Sequence, residues 1–136
     1  HAGTWRDADA LVPRAAEAYA NPVRALPTDL HAGALPPAWS FVRLEPAILR
    51  LSAIKQAEDG QGIIIRWYNP LEDEVIAQLA THVPFEAATL VSLNEDMVRD
   101  LTVDETSPQQ RWRVPTPGGG IVTVRLAHPA INSGTH

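Results

Sequence analysis

The stretch SAIKQAEDGQGIIIRWYNP, residues 52–70, reads as a strand, a tight turn and a second strand. On the approach, Ile48, Arg50, Ser52 and Ile54 alternate with Leu49, Leu51, Ala53 and Lys55, the period of two that places successive side chains on opposite sheet faces. Glu58-Asp59-Gly60-Gln61-Gly62 then breaks the run. Asp-Gly accepts the positive φ that tight hairpins require, and the second glycine predicts a loop longer than two residues with a bulge. Beyond it, three consecutive isoleucines, Ile63 to Ile65, supply β-branched side chains suited to a pleated surface. Asn69-Pro70 ends the strand, because proline has no N–H to give the ladder.

Working outward, short strand-like runs follow one another at residues 40–45, 48–56, 63–69, 74–81, 87–93, 111–115 and 121–127, separated by Pro, Gly, Asn and Asp. Seven short runs so spaced predict a mainly β protein, an antiparallel β-sandwich. Residues 94–101 read as a helical turn. The Thr116-Pro117-Gly118-Gly119-Gly120 segment reads as a flexible hairpin tip joining the last two strands, with Val122, Val124 and Leu126 toward the core.

One short N-terminal helix is expected within residues 5–20, from an Asp7 cap or, with Pro13 in its first turn, from near Leu11, to the Asn21-Pro22 stop. Leu11, Ala15, Ala18 and Tyr19 fall close to one helical stripe. Residues 23–39 carry Pro27, Pro36, Pro37 and Gly33 and read as an extended connection. The expected organisation is a helix and proline-rich connection (1–39) packing on a sandwich (40–129), then a polar tail (130–136).

At 136 residues the chain can form one domain with a continuous core, and 45% hydrophobic with 20% charged residues is a globular balance. A net charge of -5 without a basic cluster argues against nucleic acid or an anionic membrane as partner. No apolar run approaches the roughly 20 residues of a membrane helix. The absence of cysteine rules out disulfides and thiolate metal sites and agrees with a reducing, cytoplasmic setting. The chain opens on His1 and not on methionine, which suggests a processed chain or an excerpt of a longer polypeptide.

No residue stands out as catalytic. His1, His31, His82, His128 and His136 show none of the short spacings a zinc site needs, so no metal ligand is assigned. Glu58 and Asp59 are neighbours at a hairpin tip, where carboxylates diverge and cannot flank a glycosidic bond. Ser52 and Ser92 lack a nucleophile elbow, and Gly118-Gly119-Gly120 does not open a helix that could bind phosphate. Arg66, Trp67 and Tyr68 form the most suggestive group. Alternation puts Trp67 with Ile63 and Ile65, and Arg66 and Tyr68 with Ile64. Arg66 and Tyr68 are therefore candidate carbohydrate contacts, against the simpler reading in which Trp67 is core and Arg66 pairs with Glu58, Asp59 or a cross-strand partner.

HAGTWRDADALVPRAAEAYANPVRAL resembles a segment of class II α-mannosidases, glycoside hydrolase family 38, that runs His-x-Gly-x-Trp, helix, Asn-x-Pro. SFVRLEP followed by ILRLSAIKQAEDGQGIIIRWYNP is similar to that family's C-terminal motif, a Ser-Ala-x-Lys-x-x-Glu-Asp turn leading to an Arg-x-Tyr-Asn strand end. GGGIVTVRL resembles its closing strand, with Gly120 where glutamate is usual. The resemblance gives Lys55, Glu58, Asp59, Gly60, Arg66 and Asn69 a structural role as family-motif residues. It implies a parent α-mannosidase, retaining and zinc-dependent, whose catalytic domain lies upstream and whose substrate is a mannose-containing glycan. This chain alone is then the inactive C-terminal β-sandwich. Its implied partners are the upstream domains of the parent and, when made alone, a second copy in a homodimer. The alternative is a self-sufficient carbohydrate-binding or subunit-interface module.

Overall fold

The computed structural model describes residues 11–29, 32–104 and 109–128. The chain divides into two compact units, His1–Ser40 and Phe41–His136. The expected Asp7 cap, His1, His31, His136 and the 130–136 tail lie outside the described residues.

In the first unit, α1 spans Leu11–Ala20, which places Pro13 in the first turn, where its missing N–H breaks no intrahelical bond. The Asn21 N–H donates to the Glu17 carbonyl at 2.8 Å and closes the last turn. Ala15, Ala18 and Tyr19 are exposed, Tyr19 at 91%.

The second unit is a sandwich of two antiparallel sheets. The smaller holds β1 (Val42–Glu45), β4 (Val75–Thr81) and β7 (Gln110–Thr116), in the order β1-β4-β7. The larger holds β2 (Arg50–Gln56), β3 (Ile63–Tyr68), β5 (Ala87–Val91), β6 (Met97–Leu101) and β8 (Ile121–Ala127), in the order β2-β3-β8-β5-β6. Inward-facing Ile65 and Trp67 of β3 and Val122, Val124 and Leu126 of β8 meet Ala77 and Leu79 of β4 and Trp112 and Val114 of β7 in one core. At its centre the Trp67 indole N–H donates to the Thr116 hydroxyl at 3.0 Å, a bond that links the two sheets.

Three expectations need correction. Residues 94–101 contain no helical turn: Met97–Leu101 is an eighth strand paired with β5. The bulge lies inside β2, at Ser52, where the register passes from Leu51 opposite Trp67 to Ala53 opposite Arg66. That extra residue resets the alternation, so Leu51 shares a face with Ile54, and Lys55 shares the other with Arg50. The 117–120 segment is not a hairpin, because β7 pairs with β4 and β8 with β3 and β5; it is a crossover between sheets. Nor is it loose: a Cβ on Gly118 would sit 1.7 Å from the Glu72 carbonyl oxygen, and the Gly119 N–H donates to the Leu71 carbonyl at 2.8 Å.

Candidate functional site: the outer face of the larger sheet

Register sends Ile64, Arg66 and Tyr68 of β3 to the face of the larger sheet that points away from the core, opposite Arg125, Thr123 and Ile121 of β8. Ile64 is nevertheless fully buried and forms a second small apolar cluster with Ala57 and Val91. Two turns cover it by leaning toward each other.

The first is the β2–β3 turn. Gly60 and Gly62 take positive φ (77° and 106°), and a Cβ on Gly62 would lie 2.3 Å from the Leu126 carbonyl oxygen, so glycine is the side chain that fits. Asp59 accepts the Gln61 N–H at 2.8 Å and pairs with Arg125 at 2.7 Å. The second is the β5–β6 turn, residues 92–96, shaped by the Ser92 hydroxyl, which accepts the N–H groups of Asn94 and Asp96. It places Glu95 at φ 68°, left-handed and non-glycine. The Glu95 carboxylate, 7% exposed, accepts the Glu58 N–H at 2.8 Å and pairs with Lys55 at 2.6 Å.

Arg66 completes this clasp. Its Nε donates to the Thr123 hydroxyl at 3.0 Å and its Nη2 to the Leu93 carbonyl at 3.1 Å. Of the partners expected for Arg66, neither Glu58 nor Asp59 is engaged and the contact is across the sheet, a hydrogen bond to Thr123 and not a salt bridge, because register puts Arg125 one step nearer the turn and leaves Thr123 beside Arg66. Glu58 lies instead 3.7 Å from Lys55. Glu58 and Asp59 thus engage separate cations and share no bond-sized gap between them.

These contacts set the protonation of the clasp. The hydrogen bond from Lys55 holds Glu95 below the usual carboxylate range, with the Glu58 N–H adding to it. The same bond raises Lys55. Asp59 is lowered first by the Gln61 N–H and then by Arg125.

Tyr68 lies beyond the clasp, 39% exposed, between Arg50 and Ile121 in register. The structure therefore separates the two candidate sugar contacts: Arg66 is engaged in the clasp and Tyr68 is open. Asn69 is 1% exposed at the end of β3. Its amide donates to the carbonyls of Asp73 (2.8 Å) and Thr116 (3.2 Å), and its side-chain oxygen accepts the Leu71 N–H at 3.0 Å. It fastens the β3–β4 loop to the end of β7.

Among the described residues no group of three or more His, Asp or Glu side chains could hold a metal ion. The His82 ring contacts the Gln109 amide at 3.0 Å, and the His128 ring lies 5.2 Å from Phe85. Sequence reasoning missed Glu95, Thr123 and Arg125. Nothing near them in sequence marks them, since the partners in these bonds are 37 to 66 residues away.

No curated protein and no solved structure matches the chain. The family model described as "Glycosyl hydrolases family 38 C-terminal beta sandwich domain" matches residues 49–128. That match begins at the entry to β2 and ends just after β8, so it takes in the clasp, the Asn69 anchor and the whole larger sheet. With more than half of its length matched, the chain belongs to the glycosyl hydrolase family 38 C-terminal β-sandwich domain family.

Proposed function

We propose that this chain is a non-catalytic C-terminal sandwich of an α-mannosidase-like glycoside hydrolase, packing against the upstream domains and forming part of the approach to their active site. The observation that carries the reading is the use made of the motif residues: Lys55, Glu58, Asp59 and Arg66 bind one another's turns, and Asn69 binds a loop. Lys55, Asp59 and Arg66 are engaged within the fold, and Glu58, its side chain 76% exposed, lies beside Lys55 at 3.7 Å. The zinc of the parent reading finds no ligand set among the described residues, so no step through a metal is assigned to this chain.

The test is hydrolysis of 4-nitrophenyl α-D-mannopyranoside by the full polypeptide that carries this domain, before and after zinc chelation. Turnover that chelation abolishes and zinc restores is expected. A full polypeptide without α-mannosidase activity, or with activity indifferent to chelation, would overturn the parent reading.

A further inference from the structure

Asp59 is the only aspartate of the chain followed by glycine, and no asparagine is. That dipeptide carries a latent covalent reaction. The Gly60 nitrogen can attack the Asp59 carboxyl carbon, forming a C–N bond while the carboxyl hydroxyl and the amide hydrogen leave as water; glycine, having no Cβ, does not obstruct the closing ring. Water then opens the resulting succinimide at either carbonyl. One opening restores aspartate, and the other routes the backbone through the side-chain methylene as isoaspartate, at unchanged mass. The sequence of steps needs water and no other reactant.

The β2–β3 turn exposes this dipeptide to water and at the same time restrains it. The Asp59 side chain is half exposed, yet both of its oxygens are occupied. One accepts the Gln61 N–H at 2.8 Å, and the other accepts a hydrogen from Arg125 Nη2 at 2.7 Å. The same Arg125 nitrogen donates to the Gln61 carbonyl at 2.7 Å, so one guanidinium from β8 ties the carboxylate to the backbone that follows it. The attacking nitrogen is engaged as well, its N–H donating to the Ala57 carbonyl at 2.9 Å. Ring closure needs a protonated carboxyl, which can release water, and a freed nitrogen. The turn opposes both, since the Gln61 N–H and then Arg125 favour the ionised carboxylate.

We propose that Asp59-Gly60 is a site of spontaneous isoaspartate formation, and that Arg125 restrains the reaction by fixing the Asp59 carboxylate against the turn. Isomerisation undoes the contacts that suppress it. The free carboxylate then sits directly on Cα, one methylene short of its former reach to Arg125, and the backbone gains an atom. The turn has no slack for that atom beside β8, where even a Cβ on Gly62 would lie 2.3 Å from the Leu126 carbonyl oxygen. The lengthened turn therefore lifts from the small cluster of Ala57, Ile64 and Val91, which loses cover.

The experiment ages the 136-residue chain in mildly acidic buffer, folded and in urea, beside a synthetic peptide of residues 56–66 and the variants Arg125→Met and Arg125→Lys. Electron-transfer fragmentation of the 56–66 tryptic peptide distinguishes isoaspartate from aspartate at residue 59. The peptide and the urea-unfolded chain should isomerise alike, and the folded chain about tenfold more slowly or less, because it reacts only through local opening. Folded Arg125→Met should isomerise about tenfold faster than the folded wild type. Arg125→Lys, which restores the cation, should bring the rate back toward wild type, a rescue that mere loosening of the turn would not produce. Near-ultraviolet circular dichroism matching wild type admits a variant, and Arg125→Gln stands in if methionine fails it. No isoaspartate in the peptide would remove the site, and equal rates in the folded and urea-unfolded chains would remove the restraint. A wild-type rate in folded Arg125→Met, or no rescue by lysine, would remove Arg125 from its role. None of these outcomes bears on α-mannosidase activity of the full polypeptide.

Discussion

Asn69 shows at the scale of one residue what the family motif does here. Three hydrogen bonds to backbone groups, of Leu71, Asp73 and Thr116, converge on a side chain 1% exposed. Asn69→Ala should destabilise the sandwich by about 2–4 kcal/mol, since a buried group left unsatisfied costs about 1–3 kcal/mol. Urea unfolding checks it, and a loss below about 0.5 kcal/mol would show that the Leu71–Asp73 loop is held by other means. The sequence marked Asn69 as the residue before a proline that ends the strand and, through the resemblance, as a structural residue of the family motif. Its role as a connector became visible when the neighbouring carbonyls of Asp73 and Thr116 were in place. Trp67 was easier to read, because alternation with two isoleucines already placed it on the inner face; its bond to Thr116, on the other sheet, was not local information.

At the scale of elements, the clasp joins two turns through ion pairs and backbone hydrogen bonds, so its strength depends on pH. Glu95 and Asp59 have lowered folded pKa values. Their contribution is present above the ordinary values of 4.5 and 3.8 and is lost as pH falls through the lower folded ones. Lys55 is raised, so its contribution is complete below 10.5 and is lost as pH rises through the folded value. Melting temperature should therefore hold a plateau between about pH 5 and pH 10 and fall on both sides. Lys55→Met should lower the plateau and shrink the alkaline fall. A Lys55→Met profile parallel to the wild type across the whole range would contradict this assignment. The turns also explain which elements were legible. β3 and β8 have one inner face and announce it by period, whereas β6 reads exposed at Met97, Val98, Arg99 and Asp100 and carries no alternation to detect. The Ser52 bulge and the 117–120 crossover depend on which strands pair, and pairing is not written within either segment.

At the scale of the molecule, five strands face three across one core, and the family match covers the larger sheet from end to end. The sandwich class could be read from strand spacing, and the family from the long central motif. What could not be read was the division of labour on the outer face, because Lys55, Arg66, Glu95 and Arg125 meet only in the folded chain. The residues that look most like chemistry in the sequence are held in mutual contact and close the face over Ile64. On the proposed reading, bond cleavage takes place outside this chain. The direct measurement is α-mannosidase activity of the isolated 136-residue chain, folded as judged by near-ultraviolet circular dichroism and supplied with zinc. The account predicts release of 4-nitrophenol from its α-mannoside no faster than in buffer with zinc alone; zinc-dependent, saturable turnover that survives repurification would contradict it.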